Sequence, residues 1–267
     1  PLFCTLAQTG QAIDFLHRPG NVHDSNGAKA FILACIDAVR AAAPQATLEV
    51  RMDSAFFSDE IIEALVDRDV QFTGSVPFER FTELKGMIEQ RRRWRRLNGE
   101  SHYFETAWKP QCGDSRFRFI FIRTQTQKQQ KGPIQLDLFV PCETGYDFKV
   151  IVTNKTLSAK RVAAYHEGRG SQEGIFAELK SHCRQDYIPV RSKCGNQIFL
   201  LAGLFAHNLM RELQMQTTKP SRGTTAKRVS LWVFEKVDTI RKTLIQRAGR
   251  LTRPQNTLTL TVNANSW

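Results

Sequence analysis

The chain has 267 residues, 41% of them hydrophobic and 24% charged, which is enough to bury a full core and far from the composition of a disordered segment. Its formal net charge of +12 favours a polyanionic partner through counterion release and long-range steering, with nucleic acid ahead of an anionic membrane surface. Six scattered cysteines without a CxxC pair argue against a zinc site and a disulfide scaffold and suit a reducing cytosol, and the longest apolar run, "IFLLAGLFAHNLM", is too short to span a bilayer.

No signal peptide opens the chain, which starts at once on strand-like sequence, as expected of a chain that begins inside a domain. "PLFCTLA" and "QAIDFLH" flank the turn "QTG" and predict a hairpin over 1–17. "AKAFILACIDAVRAAA" has apolar residues at helical spacing and stops before Pro44. "TLEVRMD" reads as a buried strand, and "SDEIIEALVDRD" as a helix capped by Ser58, with Asp59 and Glu60 in its first turn. "VQFTGSVPF" supplies another strand. The order up to Phe78 suits a mixed sheet covered by helices.

From 79 to 145 the character changes. "RRRWRRL" is a dense basic cluster, and "SHYFETAWK", "FRFIFIRT" and "IQLDLFVP" read as strands joined by polar turns, together an inserted β-rich unit. "YDFKVIVTN" returns to a buried-strand pattern, and "GNQIFLLAGLFAHNLMRELQMQ" makes a long apolar helix. A linker over 216–227 leads to a last helix, "SLWVFEKVDTIRKTLIQRA", and an alternating strand, "TLTLTV". The expected organisation is a core in two parts, 1–78 and 146–215, interrupted by 79–145 and followed by 216–267.

Two acids stand out. Asp53 ends the strand "TLEVRMD", where the pleat delivers a side chain to the carboxyl edge of the sheet, although "DSAFF" also suits an aspartate that only caps a turn. Glu173 lies in "AAYHEGRGSQEGIFAELKSH". A continuous helix there would put Arg169, Glu173 and Lys180 on one face, as ligand and phosphate grip or as a solvated charged face. Gly168, Gly170 and Gly174 weaken the start of such a helix, and Ser171 offers an alternative N-cap.

These residues carry a family resemblance. "YHEGRGSQEGIFAELK" resembles the YREK signature of bacterial insertion-sequence transposases of the DDE type: Arg169, Glu173 and Lys180 match its spacing. Three residues separate Tyr165 from Arg169 where the family has two, so either Tyr165 has slipped by one or His166 occupies its register. "VRMDSAFFSDEIIEALVDRDVQF", "YDFKVIVTNK" and "GNQIFLLAGLFAHNLMREL" resemble the family's second-aspartate segment, the strand before its glutamate helix and the helix after it, so that roughly residues 1–215 are covered.

The resemblance implies a ribonuclease-H-like α/β fold with a β-rich insertion before the last catalytic helix. It implies metal-dependent phosphodiester cleavage and strand transfer at transposon ends. Asp53 and Glu173 would be the catalytic and metal-binding carboxylates, holding magnesium or manganese, two ions in all. Arg169 and Lys180 would grip DNA phosphates, and Tyr165 or His166 would position the backbone or a base. The family's first aspartate lies on a strand before the opening hairpin, so the chain reads as truncated there; Asp14 and Asp24 stand in the wrong elements to replace it. In this setting Arg91, Arg92, Arg93, Arg95 and Arg96, with Trp94 among them for stacking or packing, become expected DNA contacts. The implied partners are double-stranded DNA at terminal inverted repeats and a second copy on that DNA, in the bacterial cytoplasm.

Overall fold

A computed structural model describes residues 1–22, 26–109, 115–126, 145–246 and 248–262. In chain order the elements are β1 (Leu2–Thr5), β2 (Ala12–Leu16), α1 (Ala28–Ala42), β3 (Glu49–Met52), α2 (Asp59–Asp67), β4 (Gln71–Val76), α3 (Thr82–Glu89), β5 (Arg95–Arg96), β6 (Ser101–Trp108) and β7 (Phe117–Gln125). They continue with β8 (Tyr146–Thr153), α4 (Ala159–Glu167), α5 (Ser171–Cys183), α6 (Lys193–Thr217), α7 (Val237–Ile240), β9 (Gly249–Thr252) and β10 (Thr259–Val262). The expected strand "IQLDLFVP" lies outside the described residues.

The described residues form two compact units. The first comprises Pro1–Cys4, Arg18–Gly170 and Thr225–Arg228, and the second Thr5–His17, Ser171–Thr224 and Val229–Trp267.

The first unit is built on a mixed six-stranded sheet, in the order β3-β4-β8-β7-β6-β5, flanked by helices. β3 and β4 run parallel, and every later pairing is antiparallel. Within the β-rich stretch 79–145, the described strands β5, β6 and β7 extend this sheet through the pairing of β7 with β8. Burial explains the near-continuous apolar reading of the central strands: Phe119, Ile120 and Phe121 of β7 and Ile151 and Val152 of β8 are fully enclosed, as strands covered on both faces must be. Val162 and Ala163 of α4 pack against Ile120, Ile151 and Leu97.

Local chemistry sets the element ends. Ser58 caps α2 as expected, its Oγ accepting the Ile61 N–H at 3.3 Å, and Ile61, Ile62 and Leu65 form the buried stripe. Between β3 and α2 the "SAF" of Ser54–Phe56 makes a 3₁₀ turn, and Phe57 after it is anchored edge-on against Phe81 and Phe119. That anchor fixes the turn that carries Asp53.

The second unit is organised around α6. Its amide side chains serve the backbone of β2 as a neighbouring strand would: Asn208 accepts the Ala12 N–H and donates to the Ala12 carbonyl, both at 2.8 Å, and Gln197 does the same for His17 and Phe15. The turn before β2 closes on two backbone bonds between Leu6 and the residues Gly10 and Gln11, with Gly10 at φ +66 where glycine is favoured.

The last helix is much shorter than its sequence pattern suggests. Residues 230–236 are not helical, and helix is confined to α7 and a π turn over Arg241–Ile245. Tertiary acceptors take the backbone donors that a helix would have used. The Leu231, Val233, Glu235 and Val237 N–H groups donate to Gln8 O, Ser221 Oγ, Gln214 Oε1 and Glu178 Oε1 respectively. The strand expected at "TLTLTV" is present as β10, paired antiparallel with β9.

Candidate active site

One face of β3 is a row of charges. Glu49, Arg51 and Asp53 alternate at the two-residue period of a strand, and each meets its own partner within the first unit. Glu49 bridges the buried Lys155 ammonium at 2.6 Å and Arg228 Nε at 2.7 Å. Arg51 donates to the carbonyls of Tyr165 and Lys227 at 3.2 and 2.8 Å, and its guanidinium lies 5.0 Å from the centre of the Tyr165 ring. Asp53, one residue past the strand, accepts from Arg169 NH1 at 2.8 Å through Oδ2.

Asp53 makes the turn-capping contact and keeps its second oxygen clear of it. Its Oδ1 accepts the Ser54 N–H at 2.5 Å and the Ser54 hydroxyl at 3.0 Å, which is the capping arrangement. Its Oδ2 faces Arg169, and the side chain remains 45% exposed. A carboxylate fixed at a strand's carboxyl end, held by a rigid aromatic anchor and still open to solvent, sits where open α/β sheets place their chemistry.

The signature run is not one helix. α4 ends at Glu167, a 3₁₀ turn spans Gly168–Gly170, and α5 starts at Ser171. Gly168 marks the break for a steric reason: a β-carbon there would lie 1.9 Å from the Lys227 carbonyl oxygen and 2.1 Å from the Arg51 guanidinium. The spacing argument based on a continuous helix therefore does not apply to Arg169 and Glu173. In the second unit, Glu173 and Lys180 lie two turns apart on the same exposed face of α5, while Glu178 and Leu179 on another face are buried.

Tyr165 and His166 are both core residues. Tyr165 is 4% exposed, with Arg51 and Lys155 against its ring, and burial pushes its hydroxyl pKa well up. His166 is fully buried on the other side of α4. Its Nε2 and Nδ1 lie 2.9 and 3.0 Å from the hydroxyls of Ser75 and Thr73, so both ring nitrogens are already partnered on β4. Burial, reinforced by the Lys149, Arg169 and Arg51 cations, lowers its pKa to about 3, against the opposing pull of Asp53, and the ring is neutral. Tyr165 is thus packed against two cations, and His166 has both ring nitrogens engaged by β4 hydroxyls.

Arg51 and Lys149 escaped the sequence reading. Desolvation chiefly lowers the Lys149 ammonium from its usual pKa, with Arg169 adding to the shift and Glu167 and Asp53 opposing it, which places Lys149 among the charges around Asp53. The signal for Arg51 was its position two residues before Asp53 on a strand, and hence on the same face. Lys149 depends on the register of β8 against β4, which the sequence does not display.

Arg91, Arg92, Arg93, Arg95 and Arg96 are all exposed, and none of them pairs with a carboxylate among the described residues. Trp94 in their midst packs rather than stacks outward: it meets Phe104 edge-on at 4.8 Å and lies under the Arg123 guanidinium. The ring thereby anchors a strip of exposed positive charge to β6.

A family model described as transposase DDE domain group 1 matches residues 1–266. The chain belongs to this family. No curated protein matches it. Membership makes it a transposase domain, of a family that acts on DNA in transposition and generally uses divalent metal ions. The exposed carboxylates of Asp53 and Glu173 have the hard-oxygen chemistry such ions prefer. Among the described residues no group of three or more His, Cys, Asp or Glu side chains could hold a metal ion. Among the same residues no helix is long and apolar enough to cross a membrane.

Proposed function

We propose that this transposase domain cleaves phosphodiester bonds and transfers DNA strands at the terminal inverted repeats of a transposon, acting as a homodimer on that DNA. The observation that carries the reading is Asp53, an exposed carboxylate at the carboxyl end of β3 that already has a cation, Arg169, at 2.8 Å. Asp53 and Glu173 are the residues that would hold magnesium or manganese, whose chemistry is to acidify a nucleophilic water or 3′-hydroxyl and stabilise the departing oxyanion. Arg169 neutralises Asp53 and has further N–H groups with which to fork onto a phosphate. Lys180, on the same α5 face as Glu173, offers a point charge to a phosphate.

Tyr165 and His166 serve this site from behind. Tyr165 lies against Arg51, and His166 ties α4 to the hydroxyls of β4. Both fix the end of α4, from which Arg169 reaches Asp53. The exposed arginines of 91–96 supply the sequence-independent grip.

The test is cleavage and strand transfer on a labelled transposon-end duplex with magnesium or manganese. Asp53→Asn and Glu173→Gln each lower activity at least about 100-fold, a loss comparable to removing one preorganised charged group from an active site; activity that survives both substitutions overturns the assignment. Alanine at Arg92, Arg93 and Arg95 weakens binding across all sequences and flattens the plot of log affinity against log salt by about 0.9 for each phosphate that is no longer neutralised. A second reading, binding without cleavage, is favoured by the incomplete donor set among the described residues. Salt-dependent binding with no cleavage in either metal supports that reading.

A further inference from the structure

The sheet face that carries Asp53 bears a second cation at its edge. β3 and β4 run parallel with Arg51 opposite Thr73, and β4 and β8 antiparallel with Ser75 opposite Ile151. The Thr73 and Ser75 hydroxyls hold His166 of α4, and Ile151 packs with Val162 and Ala163 of the same helix, so this face looks toward α4. By the strand period, Asp53, two residues past Arg51, and Lys149, two residues before Ile151, both belong to it. Asp53 is level with Ser75. Lys149 stands beyond the pairing of Val76 with Val150, the last between β4 and β8, and so overhangs the same carboxyl edge from the other side of β4. It lies across from the buried Ile122 yet is itself exposed, as a lysine is that lays its stem on the rim of a core and keeps its ammonium in water.

The charges at this edge are unevenly matched. Asp53 is met by Arg169 at 2.8 Å and Glu167 by Lys227 at 3.2 Å, whereas Lys149 forms no ion pair among the described residues. Glu167, Arg169 and Asp53 all act on its ammonium, and it is the foremost of the cations acting on His166, which agrees with the position that the strand register gives it. Lys149 and Arg169 thus approach one place from two elements, β8 and the turn after α4, with positive charge in excess.

We infer that Lys149 is a substrate-contacting residue, which together with Arg169 receives one phosphodiester of the bound DNA at this edge of the sheet. The inference rests on the reading of Asp53 as the place of cleavage, because a strand to be cut there brings its phosphates past both cations. The formal net charge of +12 makes a polyanion the partner that supplies the missing negative charge. The two side chains divide the task. Arg169 is tied to Asp53 by one N–H and offers its others in a fixed plane. Lys149 adds a compact point charge that acts on a phosphate oxygen in any orientation.

Binding of the full chain to a transposon-end duplex, followed by fluorescence anisotropy without divalent cations, tests this apart from cleavage. Duplexes with one uncharged methylphosphonate at successive positions locate the phosphate held by Arg169: its neutralisation weakens binding by the wild type and not by Arg169→Gln. Lys149→Gln should bind the unmodified duplex about tenfold more weakly, the loss of one charge-assisted contact. It should also flatten the plot of log affinity against log salt by about 0.9 and be indifferent to the same methylphosphonate. Lys149→Arg should restore affinity and sensitivity together, and the urea midpoint of Lys149→Gln should stay at the wild-type value. A Lys149→Gln variant of unchanged affinity, one that shares no methylphosphonate position with Arg169→Gln, or one whose weaker binding tracks a lower urea midpoint overturns the inference and leaves the reading of Asp53 intact. Cleavage that survives Asp53→Asn overturns that reading alone.

Discussion

An ion pair near the signature residues of each unit invites comparison, and the two are opposites: Asp53–Arg169 in the first and Glu178–Arg211 in the second. In the second unit Glu178 and Arg211 are 10 and 7% exposed; Glu178 also accepts the Val237 N–H, and the Arg211 guanidinium lies 4.1 Å from the centre of the Phe234 ring. In the first unit Asp53 and Arg169 are 45 and 29% exposed, and water reaches both. Burial shifts the Arg211 pKa down and Glu178 pulls it back, so the two charges depend on each other. The difference teaches where a carboxylate is structure and where it is chemistry. A buried pair fixes the fold because losing one partner strands the other. An exposed pair contributes little to stability and leaves its oxygens free to exchange partners.

The sharpest way to break that comparison is Glu178→Gln. It leaves Arg211 buried without its countercharge and should lower stability in urea by about 3–5 kcal/mol; a loss below about 1 kcal/mol would make the two pairs equivalent. Gly168→Ala probes the packing that supports the exposed pair. The added methyl would collide with Lys227 O and the Arg51 guanidinium, and a destabilisation of about 1–3 kcal/mol is expected. No change in the urea midpoint would mean that 225–228 moves aside freely.

Acid offers a third test, through His166. Its pKa is about 3 in the folded chain and near 6.5 when unfolded, so the unfolded state takes up the proton first. The contribution is fully present above about pH 6.5 and fades as the pH falls toward 3, amounting to about 2 kcal/mol lost at pH 5. A His166→Asn variant should show a shallower decline between pH 7 and 5, and an identical slope would show that the ring does not titrate between the two states. The smallest effect belongs to the exposed pair: Asp53→Asn should change stability by less than about 1 kcal/mol, so that any loss of cleavage reports on chemistry. Unfolding that tracks the loss of activity would count against it.

Much of this was legible from sequence where a local cause acts. Ser58 before Asp59 and Glu60 announced the start of α2, apolar periodicity announced α1 and α6, and the position of Asp53 at a strand end followed from "TLEVRMD" alone. What stayed hidden depends on residues distant in sequence. The burial of His166 requires Thr73 and Ser75, more than ninety residues away. The close approach at Gly168 requires Lys227, and the non-helical backbone from Leu231 to the start of α7 finds its acceptors in four separate segments. Glycines in "EGRGSQEG" hinted at the break, and no local pattern could have distinguished Trp94 as a packing residue from Trp94 as a stacking platform.

The return of Thr225–Arg228 to the first unit, across the glycine at 168, has a bearing on how the molecule can be dissected. Three stretches of chain make up each unit, and they alternate along the sequence. No single stop codon or start codon can isolate either unit, and a nested series of truncations would remove parts of both at every step. Boundaries drawn by deletion mapping would therefore reflect the loss of interleaved segments rather than the borders of a functional module. Point substitutions, which leave the interleaving whole, are the way to assign an activity to one unit or the other.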